Sequence, residues 1–516
     1  MPKFYITTPI YYVNDRPHIG HVYTTTIADI AARYRRLRGD DVFFLTGTDE
    51  HAAKVVNSAA EHGVSAQQWA DQNARAFQET FAKLGIANDD FIRTSEERHK
   101  VKVREYVAEL LKSGDVYLGD YEGWYDAGQE EYVPENKAKE SEFKSPINGK
   151  PLVRKQEKNY FFRLSKYSDA LLELLEKRPD FLQPDARRHE IANRIREGLN
   201  DVPISRTGGG DWGIRVPGDE QHTIYVWIDA LFNYLSTVDT DARRNYWPAD
   251  VHLIAKDILW FHAVIWPALL LALKRELPRQ IYAHSFWIAE GQKMSKSLGN
   301  FIDLEKIDRH VTTYGLDALR YFLASNGPLG IADSDFSESK FTEVYNADLA
   351  NTLGNLVNRS LSMVKRYRGG KIPDLVAQAS VPVDQLDSEL QNLWSKTFTT
   401  YTDAMNRLDL QTALAALWSF TTRANQYVEQ SAPWSLAKDP AKSARLDAVL
   451  YNLAESCRLI SIPLTPFIPA TAEKIQAQLG LSGKKFALED AEQWGGLPAG
   501  TQLGELFALF PRAEKK

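Results

Sequence analysis

The sequence predicts an α/β protein: a doubly wound parallel sheet followed by an all-α bundle. Three observations point there. At 516 residues the chain exceeds what one ordinary hydrophobic core covers, so two or three domains are expected. Strand, loop, helix and strand patterns succeed one another within about the first fifty residues, the opening of a doubly wound sheet. From about residue 336 onward, apolar residues recur at the helical period instead.

Each element has its own reason. "KFYITT" (3–8) is β-branched and aromatic with partial alternation, and reads as a strand. "PIYYVNDRPHIGH" follows as a loop, and a helical pattern runs from His18 to about Arg38 with Pro17 at its entry. "DVFFLTGTDEH" (41–51) reads as a buried strand ending in a polar cluster. In such sheets ligands sit beyond the carboxyl ends of the strands, where this cluster falls. "AVIWPALLLAL" (263–273) is too short to span a bilayer and holds a proline. Its Trp266, Leu269, Leu270 and Leu273 therefore read as one side of a buried helix. In "NADLANTLGNLVNRSLSMV", Leu349, Leu353, Leu356, Val357, Leu361 and Val364 share one helical side, while Asn351, Asn355 and Arg359 step four apart along another. "LTPFIPATAEKI" starts the last long helix after Pro469, and Phe507 and Phe510 read as anchors of the tail.

Composition narrows the function classes. Hydrophobic residues at 44% and charged residues at 25% are normal globular values and argue against wholesale disorder. A formal net charge of −6 argues against attachment to nucleic acid through bulk charge. It leaves room for a local basic groove, which "PDARRHEIANRIREG" could supply unless it is simply a solvated helix face. The single cysteine, Cys457, excludes an internal disulfide framework and a Cys-rich zinc knuckle. The start, "MPKFYITTPIYY", lacks the layout of a signal peptide, so a soluble, cytoplasmic protein with no membrane association is expected.

Two short stretches carry the chemistry. "HIGH" (18–21) opens the first helix, with His18 and His21 three apart and Gly20 between them. Helix amino termini favour phosphate through free N–H groups and the dipole. Two imidazoles there can donate hydrogen bonds to an α-phosphate as its charge redistributes in a displacement. The competing readings are a zinc pair or a packing role, and no cysteine lies nearby to complete a metal shell. "GQKMSKSLGN" (291–300) is a loop of small residues bearing Lys293 and Lys296. Alone it would be a solvated loop. It gains meaning beside the first stretch, as a second phosphate-handling element in the same chain.

In this order the two stretches are the signatures of class I aminoacyl-tRNA synthetases, and almost the whole chain resembles the methionyl-tRNA synthetases in their short bacterial form. The matching runs are "FYITTPIYY", "LTGTDEH", "YVWIDALFNYL", "KDILWFHAVIWPA", "KMSKSLGNFID", "ANTLGNLVNR" and "APW". The resemblance implies a Rossmann-type catalytic domain in two halves (1–115 and 206–290) around a connective-peptide insertion (116–205). A KMSKS loop and linker (291–335), an α-helical anticodon-binding domain (336–475) and a tail packed on the bundle (476–516) follow. The insertion lacks the cysteines of a zinc knuckle, so no structural zinc and no other metal ligands are expected, and aromatics such as Tyr117, Trp124, Tyr160 and Phe161 must hold it. It is also too short for the editing domain of the isoleucine, leucine and valine enzymes.

The implied function is activation of L-methionine with ATP and Mg²⁺, then transfer of the methionyl group to methionine tRNA, initiator and elongator, by a monomer. ATP binding falls to His18, Gly20, His21, Lys293, Ser295, Lys296 and Ser297, with His18, His21, Lys293 and Lys296 catalytic. The methionine pocket would comprise Ile10, Tyr12, Asp49, Trp227, Ala230, Tyr234, Ile258 and His262. Methionine is an unbranched thioether, so shape and sulfur–aromatic contacts must recognise it. Tyr12, Trp227 and Tyr234 supply walls, His262 or Tyr234 can donate to the sulfur, and Asp49 is placed to pair with the α-ammonium. Asn355 and Arg359 would read anticodon base edges and Trp434, after Pro433, would stack on a base. Ala52, Ala255 and Leu231 depart from the residues usual in the family. Two rivals remain: a nucleotidyltransferase of the same fold, with no use for residues 336–475, and a catalytically silent tRNA-binding paralogue.

Overall fold

The computed structural model describes residues 1–512 apart from 15, 128–130, 134, 146, 208–211, 295–299 and 375–383. The chain divides into two compact units, one of residues 1–4, 18–42 and 285–516, the other of residues 5–17 and 43–284.

The second unit is built on a six-stranded sheet. Strand β1 (Lys3–Tyr12) is followed by helix α1 (Ile19–Leu37), strand β2 (Asp41–Asp49) and strand β3 (Asp90–Arg93). The sheet order runs β3, β2, β1, then Val251–Ala255, Gln280–His284 and the short edge strand Leu182–Gln183. β1 pairs in parallel with Val251–Ala255 through Ile6 opposite Val251, and the sheet continues in parallel with Val251 opposite Gln280. The chain doubles back between β1 and Val251–Ala255, the switch point at which such sheets bind ligands. β2 is buried along nearly its whole length, as a strand covered on both faces must be.

The insertion forms a separate antiparallel sheet. Val116–Asp126 and Val153–Phe162 pair over ten positions from Val116 opposite Phe162 to Tyr125 opposite Val153. The aromatics hold it: Tyr117 stacks on Phe161 with ring centroids 5.8 Å apart, Phe162 on Tyr167 at 5.6 Å, and Trp124 meets Phe143 at 4.5 Å. The basic helix Asp185–Arg196 keeps a solvated face on which Arg187 pairs with Glu190 and Arg188 with Asp185.

In the first unit, α1 is buried almost all round. Its Asp29 accepts Arg320 at 2.7 Å, and Arg320 also donates to the Pro466 and Phe467 carbonyls, each at 3.0 Å. Helices Gln385–Asn406 and Leu410–Ser431 form a hairpin, with Asp409 capping the second through Thr412 N–H. Helix Ser443–Leu464 is buried on every side from Val449 onward, and Leu349, Leu353, Leu356, Val357, Leu361 and Val364 all point into the bundle. Within Ser443–Leu464, Glu455 accepts two bonds from Arg458 and the N–H groups of Gly495, Gly496 and Leu497. Phe510 meets Tyr345 edge-on at 5.9 Å, whereas Phe507 stays 43% exposed and anchors nothing. Two helices carry π-helical stretches, Phe261–Ile265 and Tyr345–Gly354, each running into a regular helix.

Candidate functional site

The first unit holds the histidine turn. His18 has extended backbone and caps α1: its Nδ1 accepts the Gly20 N–H at 3.1 Å, and its own N–H reaches His21 Nδ1 at 3.2 Å. This is a capping box made of two imidazoles, and it puts His18 just before the first turn rather than inside it. Each ring accepts through Nδ1, so each neutral ring carries its hydrogen on Nε2. The rings lie close and tilted to one another, with centroids 3.8 Å apart. Burial, and then the neighbouring His18, hold the pKa of His21 well below the usual imidazole value. A Cβ at Gly20 would lie 3.0 Å from His18 Cε1, so only glycine leaves the His18 ring where it is.

The same turn is bound to the chain that follows the lysine loop. Ile19 N–H donates to the Ile302 carbonyl at 3.1 Å, His18 bridges Asp303, and Phe301 meets the His18 ring edge-on at 5.2 Å. Lys293 is exposed on the short strand Gln292–Lys293, and Asn300 Nδ2 donates to its carbonyl at 3.2 Å. Ser295, Lys296 and Ser297 lie outside the described residues.

The second unit holds the predicted pocket at the carboxyl ends of β1, β2 and Val251–Ala255. Tyr12 meets Trp227 edge-on at 5.9 Å, and Trp227 stacks on Phe261 at 3.9 Å and 9°. Next to Phe261, His262 Nε2 takes the Tyr234 hydroxyl at 2.7 Å while its Nδ1 contacts the Ile258 carbonyl at 3.0 Å. A carbonyl only accepts, so the ring hydrogen sits on Nδ1 and the Tyr234 hydrogen goes to Nε2. Burial pushes the His262 pKa down to about 4 and raises that of Tyr234. Of the two expected donors to sulfur, His262 has both nitrogens engaged, and Tyr234 can donate only by giving up this bond. Behind them His252, neutral because of burial, meets the Tyr234 ring at a tilt with centroids 4.3 Å apart, contacts Thr7 Oγ1 at 2.8 Å and accepts from Trp266 Nε1 at 3.2 Å.

Ala230 is buried 6% exposed and Asp49 3%, with the Asp49 carbonyl joined to Val13 N–H at 3.4 Å. Ile10, partly buried, packs on the cluster of Tyr5, Phe43, Leu45 and Ile92. Phe261 and His252 were not singled out in the sequence. Phe261 could have been, since it directly precedes His262 in a matching run; His252 carries no local signal, being buried mid-strand.

The bundle places the third group. Asn355 Nδ2 donates to Asn425 Oδ1 at 3.0 Å, and one turn on Arg359 pairs with Glu429 at 2.7 Å. Ala432 takes the left-handed conformation (φ 44°), ends helix Leu410–Ser431, and lets Pro433 start a new turn. Pro433 is buried and Trp434 is left 38% exposed. Among the described residues no group of three or more His, Cys, Asp or Glu is set to hold a metal, and no helix is long and apolar enough to cross a membrane.

The family model "tRNA synthetases class I (M)" matches residues 4–141 and 136–361, and "Anticodon binding domain of methionyl tRNA ligase" matches 378–515. The methionine–tRNA ligase of Halalkalibacterium halodurans is 43% identical across 99% of this chain and 78% of its own length. That of Bacillus subtilis is 42% identical over the same shares. The structure of Mycobacterium tuberculosis methionyl-tRNA synthetase in complex with methionyl-adenylate superposes with a TM-score of 0.92 at 37% identity, covering 99% of this chain and 100% of that one. Its apo form gives 0.86 at 35% identity, covering 100% and 99%.

Proposed function

The chain belongs to the class I methionyl-tRNA synthetases, and we propose how its residues divide the work of that reaction. It is a methionine–tRNA ligase: methionine and ATP give methionyl-adenylate, and the methionyl group then passes to the 3′ end of methionine tRNA.

His18 and His21 donate from Nε2 to the α-phosphate. Their Nδ1 atoms are tied to the backbone, so the donors are fixed before substrate arrives and nothing reorganises during the displacement. This locked tautomer is the observation that carries the assignment. Lys293 and Lys296, with Ser295 and Ser297, neutralise the pyrophosphate as it leaves. Mg²⁺ enters with ATP as part of the substrate. Asp49 takes the α-ammonium, and the Tyr12–Trp227–Phe261 wall with Tyr234, His262, Ile10, Ala230 and Ile258 takes the thioether chain. Catalysis is positioning and charge stabilisation, with no covalent enzyme intermediate.

Asn355 and Arg359 read anticodon bases and Trp434 stacks on one, Pro433 setting its angle. The domain divisions 1–115, 116–205, 206–290, 291–335, 336–475 and 476–516 follow these roles. We place the enzyme in the cytoplasm as a monomer, which light scattering on the purified chain checks. The role assignment is tested by His21→Ala and Lys296→Ala: adenylate formation should fall at least about a hundredfold in each. Near-normal rates in both would remove these residues from the chemistry.

A further inference from the structure

Behind the methionine pocket of the second unit lies a buried cluster that the reaction scheme does not use. Asp229 sits on the short helix Val226–Leu231, between Trp227 and Ala230, and is 1% exposed. Its Oδ2 meets His51 Nδ1 at 2.6 Å and its Oδ1 meets His99 Nε2 at 2.8 Å. His99 is fully buried, and its Nδ1 meets Ser236 Oγ at 2.8 Å, closer than the 3.3 Å from that hydroxyl to the Asn233 carbonyl. Burial alone would raise the Asp229 pKa, but the two histidines outweigh it and hold the carboxyl down at about 2. Asp229 is therefore a carboxylate that accepts from both rings, fixing the hydrogen of His51 on Nδ1 and that of His99 on Nε2.

The cluster joins two of the segments that carry pocket residues, 49–51 and 226–236. His51 follows Asp49 by two residues. Asp229 lies between Trp227 and Ala230. Ser236 follows Tyr234 by two. The His51 ring also meets Trp212 edge-on at 5.6 Å, and Trp212 Nε1 donates to the Glu50 carbonyl at 2.6 Å. A buried carboxylate bridging two imidazoles is costly unless every bond is kept, so its geometry holds within narrow limits.

We propose that His51, Asp229 and His99 are positioning residues for methionine recognition: their relay holds the end of β2, with Asp49, in register with the helix bearing Trp227 and Ala230. This rests on the pocket assignment above. In it Asp49 and the aromatic wall contact opposite ends of one small substrate, so a shift between their segments lowers affinity for methionine without touching ATP.

The test is steady-state ATP–pyrophosphate exchange with the full chain. In Asp229→Asn the amide offers one acceptor where two are needed and presents an N–H to the other ring. The KM for methionine should rise tenfold or more, with the KM for ATP within twofold of wild type and a smaller change in kcat. His51→Ala should behave likewise, and His51→Gln, which retains an N–H for Asp229, should recover most of the loss. If Asp229→Asn does not fold, judged by its thermal transition, the two His51 variants carry the test. A methionine KM within twofold of wild type, equal rises in both KM values, or no recovery in His51→Gln overturns the proposal. Trp227→Ala is the control: if it leaves the methionine KM unchanged, the pocket assignment fails and the relay's role falls with it.

Discussion

Tyr234 gives its hydroxyl hydrogen to His262 Nε2 across 2.7 Å, because His262 commits its own N–H to the Ile258 carbonyl. Both groups are buried, so removing the donor leaves an unsatisfied ring nitrogen in an apolar wall. Tyr234→Phe should therefore cost about 1–3 kcal/mol of stability. It should also raise the methionine KM in the exchange assay while leaving that of ATP alone. A variant with wild-type stability in a urea titration would show that this bond is not made.

Stability should fall as the pH drops from about 6.5 towards 4. His262 titrates near 4 in the folded protein, and burial lowers His21 and His252 as well. In the unfolded chain these rings take up protons near pH 6.5, so between the two values the unfolded state holds more protons and is favoured. Below the folded values the slope ends. Replacing His262 by Gln should flatten the slope by one histidine's share, on the order of a few kcal/mol across the window. Denaturation midpoints measured from pH 4 to 8 would show it, and an unchanged slope in the variant would contradict the assignment.

The sheet and the two signature stretches were legible in the sequence because their signals are local. β1 and β2 announce themselves by β-branched and aromatic runs, and the six leucines and valines of the 349–364 stretch keep the helical period. The π-helical stretches were not legible, since one extra residue per turn hardly disturbs that period over so short a span. Nor was the Asp229 relay: its partners lie 178 and 130 residues away, and nothing around His51, His99 or Asp229 alone distinguishes a buried network from a solvated side chain. His18 read as a first-turn residue because a histidine is an unusual cap; only its bond from Gly20 N–H reveals it.

The buried carboxylate of Glu455 holds the tail to the bundle. It satisfies Arg458 and three consecutive backbone N–H groups, with no exposure to water. Glu455→Gln leaves the Arg458 charge buried without its partner, which should cost about 3–5 kcal/mol. Calorimetry should record a clearly lower transition temperature. A transition within a degree of wild type would mean that the tail contributes little to the bundle.

Arg359 and Trp434 should act on the second half-reaction only. Trp434→Ala removes a stacking face and should weaken tRNA use by about 1–3 kcal/mol, seen as a higher KM for tRNA in aminoacylation. Arg359→Ala should do the same and, because Arg359 now pairs with Glu429, leave that carboxylate facing the tRNA. Neither change should alter the exchange rate. A loss of exchange in either variant would place the residue in the structure of the catalytic unit instead.

The most direct measurement is amino-acid-dependent ATP–pyrophosphate exchange by the purified chain, with methionine set against isoleucine, leucine, valine and cysteine. Strong exchange with methionine and only weak exchange with the others is expected, since an apolar pocket discriminates near analogues by roughly 10–200-fold per methylene. Preferred exchange with another of these amino acids would discard the pocket built from Tyr12, Trp227, Tyr234 and His262. No exchange with any, in protein shown to be folded, would contradict the catalytic roles of His18 and His21.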